Sequence, residues 1–287
     1  MKNSLVIILI SLIGFAFKSD KPAYVLYTGE GKVVKYEKMM KELEKADLVF
    51  FGELHDDPIG HWLEYEITKD LFESKQQDLV LAAEMFESDV QVILTEYLNG
   101  NISMKSFESE ARIWPNYKTD YKPLVEFAKD NELFFVASNV PRRYASVVHK
   151  GGFEALDSLS DEAKQFLPPL PVPYDATVKC YADMLNMQGM GGHVNENFPK
   201  AQAIKDATMA HFIMKNWSEG KLTIHYNGSY HSNNFQGIIW YIRQSYPDLN
   251  ILTIANEKQD DLNELNEDNL NIASYIVCVH SSMTSTR

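Results

Sequence analysis

The stretch Leu48-Val49-Phe50-Phe51-Gly52-Glu53-Leu54-His55-Asp56-Asp57-Pro58 constrains this chain more than any other. Its four leading apolar residues, two aromatic and one β-branched, predict a short strand buried on both faces. The run stops at Gly52 and sets Glu53 and His55 where the backbone leaves the sheet. Asp56 or Asp57 supplies a helix N-cap, and Pro58 suits the first helical turn. The stretch therefore reads as strand–turn–helix, with an acid and an imidazole at the carboxyl end of the strand. In open α/β sheets, ligands bind at that edge.

The same pattern recurs. Leu79 to Ala83 runs into Glu84, Leu133 to Ala137 into Ser138-Asn139-Val140-Pro141-Arg142-Arg143, and Leu222 to Tyr226 into Asn227-Gly228-Ser229-Tyr230-His231. Further strands are expected at Leu249–Ala255 and Ala273–Val279, and a small hairpin over residues 23–34 precedes the core. Ile59, Leu63, Ile67 and Leu71 form one apolar stripe of a long helix. His61, on the first turns of that helix, either faces the site or lies on the outer surface, and the surface is the preferred reading. Helices are also expected over residues 36–45, 103–112, 124–130 and 198–217, with Trp114 to Pro123 as an aromatic loop. The proline run 168–173 excludes helix and central strand and predicts an extended spacer. The acidic, Asn-rich 260–271 segment reads as a solvated connection. Strands alternating with helices predict an α/β fold, a mainly parallel sheet with helices on both faces. Residues from about 153 to 200 form a helical insertion over the carboxyl edge of the strands.

With 287 residues and 45% hydrophobic content, the chain can bury a sizeable core, and disorder is not expected. A net charge of −13 argues against nucleic acid or an anionic membrane as partner. Cys180 and Cys278 are the only cysteines, which excludes a disulfide framework or a zinc ribbon. At the N-terminus, Lys2 precedes an apolar run from Leu5 to Phe17 broken by Ser11 and Gly14. This run is short of the roughly 20 residues a membrane span requires. It fits a signal peptide over residues 1–16, with Gly14 and Ala16 flanking the cut and the mature domain spanning 17–287. Export to the periplasm or medium is the corresponding expectation.

Glu53, His55, Glu84 and His231 make a plausible ligand set for a divalent metal, or the acid/base groups of a hydrolase. The alternative for each is local capping and loop hydrogen bonding. Arg142 and Arg143 stand at a helix start, where a cation opposes the helix dipole and calls for an anion. That anion could be a ligand carboxylate or Asp206, which lies one turn from Gln202 on the same helix face.

Five ordered segments carry a family resemblance: Gly-Glu-Leu-His-Asp (52–56), Ala-Glu-Met-Phe-Glu-Ser-Asp-Val-Gln (83–91), Ala-Ser-Asn-Val-Pro-Arg (137–142), Ala-Gln-Ala-Ile-Lys-Asp-Ala-Thr-Met-Ala (201–210) and Gly-Ser-Tyr-His (228–231). Together they resemble the ChaN-type haem-binding uptake proteins, a branch of the Tiki/erythromycin-esterase-like group. The resemblance implies an exported haem-binding protein serving haem or iron uptake, with haem held between two copies of the chain and an outer-membrane haem or iron receptor system as partner. It has no N-terminal cysteine for the lipid anchor known in that family. It makes residues 174–193 the expected porphyrin cover, with Tyr174, Tyr181, Met190 and His193 as donors and Arg142 for a propionate. Covalent attachment is excluded, since no Cys-x-x-Cys-His occurs. The wider group implies the alternative, a metal-dependent peptidase- or esterase-like hydrolase using Glu53, His55, Glu84 and His231.

Overall fold

The computed structural model describes residues 21–189 and 195–286. The signal-peptide reading, Met190 and His193 therefore lie outside the described residues. Seven strands form one sheet: β1 (Tyr24–Thr28), β2 (Leu48–Glu53), β3 (Leu79–Glu87), β4 (Phe135–Asn139), β5 (Leu222–Gly228), β6 (Ile251–Gln259) and β7 (Tyr275–His280). Their spatial order is β1-β7-β6-β2-β5-β3-β4, with every neighbouring pair parallel except β1 with β7. The helices are α1 (Tyr36–Leu43), α2 (Pro58–Lys75), α3 (Gln91–Leu98), α4 (Met104–Glu110), α5 (Lys122–Asp130), α6 (Arg142–Gly151), α7 (Asp161–Lys164), α8 (Lys179–Gly189), α9 (Asn197–Asn216) and α10 (Ile238–Ser245).

Period-2 alternation within apolar runs explains why both faces are covered. Val49 and Phe51 of β2, with Leu81 and Ala83 of β3, pack against Leu63, Ile67 and Leu71 of α2. The intervening Leu48, Phe50, Val80 and Ala82 point the other way, onto Met209 and Ile213 of α9 and Ile239 of α10. Strands buried on both faces need helices on both, so the α/β expectation is met. None of the described helices is long and apolar enough to cross a membrane.

Two local readings are corrected. The N-terminal hairpin survives only as a bridge between Tyr27 and Val33, because β1 instead extends the main sheet by pairing with β7. The acidic 260–271 segment is anchored: Leu265 is buried beside Tyr27 and Ile272, and the Tyr27 hydroxyl donates to the Leu262 carbonyl at 2.6 Å. Cys180 and Cys278 are free and buried, and burial pushes their thiols up to about 11 and about 12. The proline run carries neither helix nor strand, as expected. Beyond it, α8 is tied to the segment after β5: the Cys180 amide donates to Gln236 Oε1 at 2.8 Å, and the Tyr230 hydroxyl donates to the Cys180 carbonyl.

Candidate functional site

Parallel register brings the predicted rim residues together. Phe51 of β2 lies level with Tyr226 of β5, which lies level with Ala83 of β3, so Glu53 stands opposite Gly228 and Glu84 follows at the same height. Two glycines permit the close approach. A side chain at Gly52 would lie 2.9 Å from the Ser229 Cα, and one at Gly228 would lie 2.8 Å from His55 Nε2. The Gly228 amide donates to Glu84 Oε2 at 2.9 Å, tying β5 to the carboxylate of its neighbour strand.

The four residues form two acid–imidazole pairs. Glu53 Oε1 accepts from His55 Nδ1 at 2.6 Å and from the Tyr121 hydroxyl at 2.6 Å. This bond fixes the His55 tautomer and leaves Nε2 free, on a side chain 34% exposed. In the second pair, His231 Nε2 lies 3.2 Å from Glu84 Oε1, while Nδ1 donates to Asp206 Oδ1 at 2.5 Å. Burial disfavours a charged His231, but Glu84 and Asp206 override it and push its pKa up to about 10. Burial likewise opposes charge on Glu84, yet His231 holds that carboxyl well below its usual range, helped by His55 and Lys205. Both ring nitrogens of His231 thus face carboxylates. The four residues converge as two hydrogen-bonded acid–imidazole pairs.

A deeper layer was missed from the sequence. His61, for which the surface was preferred over the site, is buried beneath the rim. Its Nδ1 lies 3.2 Å from Glu64 Oε2 and 3.6 Å from Glu53 Oε2, and its Nε2 lies 3.3 Å from the His55 carbonyl oxygen. His61 and Glu64 flank the Leu63–Ile67–Leu71 stripe of α2, so a helical wheel places both at the edge of the buried face. Burial opposes protonation of His61, but Glu64, Glu53 and Asp120 push it up to about 10. Burial and the charge of Glu53 drive Glu64 well up. Glu53 is also opposed by burial but is held low by the His55 hydrogen bond and the His61 charge. Among the described residues, Glu53, His61 and Glu64 are the group whose donor atoms all lie within 4.8 Å of one another.

Above the rim a pocket of about 540 Å³ is lined by His55, Glu84, Trp114, Val140, Arg142, His149, Lys150, Phe198 and Lys205. A second cavity of about 860 Å³ shares His55, Trp114 and Arg142 and adds Ile113 and Pro115. Arg142 faces both, and its guanidinium has no ion-pair partner among the described residues. Arg143 is engaged, donating to Asp89 Oδ2 at 2.6 Å. Asp206, considered as the arginine partner, is taken by His231 and by Tyr181, whose hydroxyl donates to Oδ2 at 2.7 Å.

That bond corrects the assignment of Tyr181 as a haem donor. It is fully buried with its hydroxyl occupied, and burial beside Asp206 drives its pKa far above the ordinary tyrosine value. Tyr174 packs at a tilt between Phe153 and Tyr181 and lines neither cavity. Among the described side chains of α8, Tyr181 supports the site from behind through Asp206, and none lines either cavity. Trp114, His149, Lys150 and Lys205 were not singled out. Trp114 sat within the predicted aromatic loop, but the other three reach the pocket only because α6 and α9 pack side by side, which no local pattern announces.

Comparison with known proteins agrees with this geometry. Residues 39–242 match the family described as haem-binding uptake, Tiki superfamily, ChaN. The chain is similar in fold to ChaN of Campylobacter jejuni, described by its cofacial haem binding, with a TM-score of 0.64 and 18% identity over 88% of this chain and 96% of that one. It is also similar to a Bacillus cereus protein, with a TM-score of 0.51 and 10% identity over 85% of this chain and 90% of that one. Protein RETICULATA-RELATED 5, chloroplastic, of Arabidopsis thaliana is 25% identical over 198 residues, 64% of this chain; the match spans 26% of that relative's length. The chain belongs to the ChaN-type haem-binding uptake family of the Tiki superfamily.

Proposed function

We propose that this protein binds haem in the rim pocket and serves haem or iron uptake after export. One observation carries the reading: the pocket is cationic in an acidic chain. Its carboxylates are already neutralised, Glu84 by His231 and Glu87 by Arg112 at 2.8 Å. Arg142, Lys150 and Lys205 are left to face an anion, beside the apolar surfaces of Trp114, Val140 and Phe198. An amphipathic ligand with an apolar plane and carboxylate arms suits that lining. Arg142 and Lys205 would take propionates, and His55 Nε2 or His149 would offer nitrogen to iron. Haem would supply bound iron as cargo. Among the described residues no tyrosine lines either cavity, so imidazole is the donor this lining favours.

Titration with haemin, read by the Soret band, tests the proposal. Arg142→Ala is expected to weaken binding by about 1.5–3 kcal/mol, the usual worth of a charge-assisted hydrogen bond, with unchanged circular dichroism. Wild-type protein that leaves the haemin spectrum unaltered would overturn it. We further propose that the open side of the pocket is closed by a second copy with haem between the two, as the family resemblance implies. Haem-dependent dimerisation in analytical ultracentrifugation checks this point. Export is supported by the Leu5–Phe17 run, and the mature chain is expected to begin near Phe17 by N-terminal sequencing. An intact Met1 on cytoplasmic protein would count against it. An outer-membrane receptor system remains the partner proposed for such an exported protein.

One observation favours a second reading, hydrolysis. Glu53 orients His55 as a carboxylate orients a general base, with Nε2 open to the pocket. Ester or peptide turnover lost in His55→Ala would support it; His231, protonated and doubly engaged, would serve there as an electrostatic group and not as the base.

A further inference from the structure

We propose that Glu53, His61 and Glu64 form a closed site for a single divalent transition-metal ion beneath the rim, separate from the haem pocket. The three residues come from the end of β2 and the first turns of α2, and all are buried. Two of their carboxylate oxygens, Glu53 Oε2 and Glu64 Oε1, are buried without an N–H or hydroxyl donor, so the two carboxyls can only share a proton with each other or take a cation. Buried carboxylate oxygens are ordinarily satisfied, because an unpaired one has given up strong solvation by water with nothing in return.

The imidazole is set for ligation. Its Nε2–H points at the His55 carbonyl, 3.3 Å away, so an incoming ion would displace the protons that Nδ1 and Glu64 otherwise hold and would take the Nδ1 position that faces both carboxylates. Zinc bonds of about 2.0–2.1 Å in a tetrahedron place neighbouring donors roughly 3.3 Å apart. His61 Nδ1 stands 3.2 Å from Glu64 Oε2 and 3.6 Å from Glu53 Oε2. Two carboxylates and a neutral imidazole also balance the charge of a dication. The surrounding partners are those of a metal centre: Tyr121 and His55 donate to the far oxygen of Glu53, and Asp120 Oδ2 lies 3.5 Å from His61 Nε2. Mixed oxygen and nitrogen donors suit zinc, manganese or ferrous iron better than calcium or magnesium.

The full chain is stripped with EDTA, dialysed, and offered Zn²⁺ or Mn²⁺ separately. Metal analysis after desalting is expected to find a single ion per chain, and the loaded protein should melt at a higher temperature than the stripped one. Glu64→Gln keeps the shape but removes a ligand. Its metal retention should fall by more than the roughly 10–100-fold typical of losing an outer partner. Glu84→Gln should retain the ion. Loss in Glu84→Gln with retention in Glu64→Gln would overturn the assignment, as would stripped wild-type protein that takes up neither metal. Circular dichroism checks the fold of each variant. Anomalous diffraction from zinc-loaded wild-type crystals locates the ion without any variant, and an ion away from His61 Nδ1 refutes the site. Haemin titration of the stripped protein keeps the two readings apart, since haem uptake without the ion leaves the haem proposal standing whatever the metal result.

Discussion

His231 is gripped by Glu84 and Asp206 inside the protein, and this clamp dictates how stability responds to pH. Its folded pKa of about 10 lies above the ordinary histidine value of 6.5, so the clamp contributes fully below the latter. The contribution is lost as pH rises through the folded value. Glu84 works with the opposite sign: its pKa is lowered, so its contribution is present above the ordinary carboxylate range and lost only in strong acid. Melting temperature is therefore expected to fall steadily between pH 7 and pH 10, followed by differential scanning calorimetry. Asp206→Ala removes one arm of the clamp and the acceptor of Tyr181. Breaking a buried pair this way should destabilise the protein by about 3–5 kcal/mol, measured by urea unfolding. Glu53, His55, Glu84 and His231 were legible in the sequence because each follows an apolar run that can only be a strand. Glu64 was not, and the choice between site and surface for His61 was not, since a polar residue beside an apolar helical stripe looks the same whether it meets solvent or another acid.

α2 transmits order from strand to site. Asp57 Oδ1 accepts from the Ile59 and Gly60 amides at 2.9 and 3.3 Å, and Pro58 occupies the first helical position. The cap fixes where His61 and Glu64 fall beneath Glu53. Asp57→Ala should cost about 0.5–2 kcal/mol, and the loss should appear as a lower urea midpoint with little change in slope. This cap was readable from Asp57-Pro58 alone. The strand ends were less so. β6 was read as ending at Ala255 but continues to Gln259, because Asn256 to Gln259 pair with Val277 to His280 of β7. Polar residues there are strand by virtue of a neighbour, which apolarity cannot reveal. β3 likewise runs past Glu84, resuming with β4 at Glu87 and Asn139 after a register shift.

At the scale of the whole molecule, the fold class followed from repeated strand–turn–helix units, whereas the strand order did not. Sequence predicts that β2, β3 and β5 share a rim, but not that β5 separates the other two. With neighbouring strands about 4.8 Å apart, Glu53 and Glu84 sit on backbones roughly 10 Å from each other, too far for one strand pair to assemble the site. The central position belongs to a segment translated after β4 and four further helices. On the ribosome, β2, β3 and β4 all emerge while the slot between β2 and β3 still awaits Leu222–Gly228. A nascent chain consequently has no Gly228 amide for Glu84, no His231 to neutralise it, and no rim pocket. Ligand capture is thereby deferred until synthesis has passed the fifth strand.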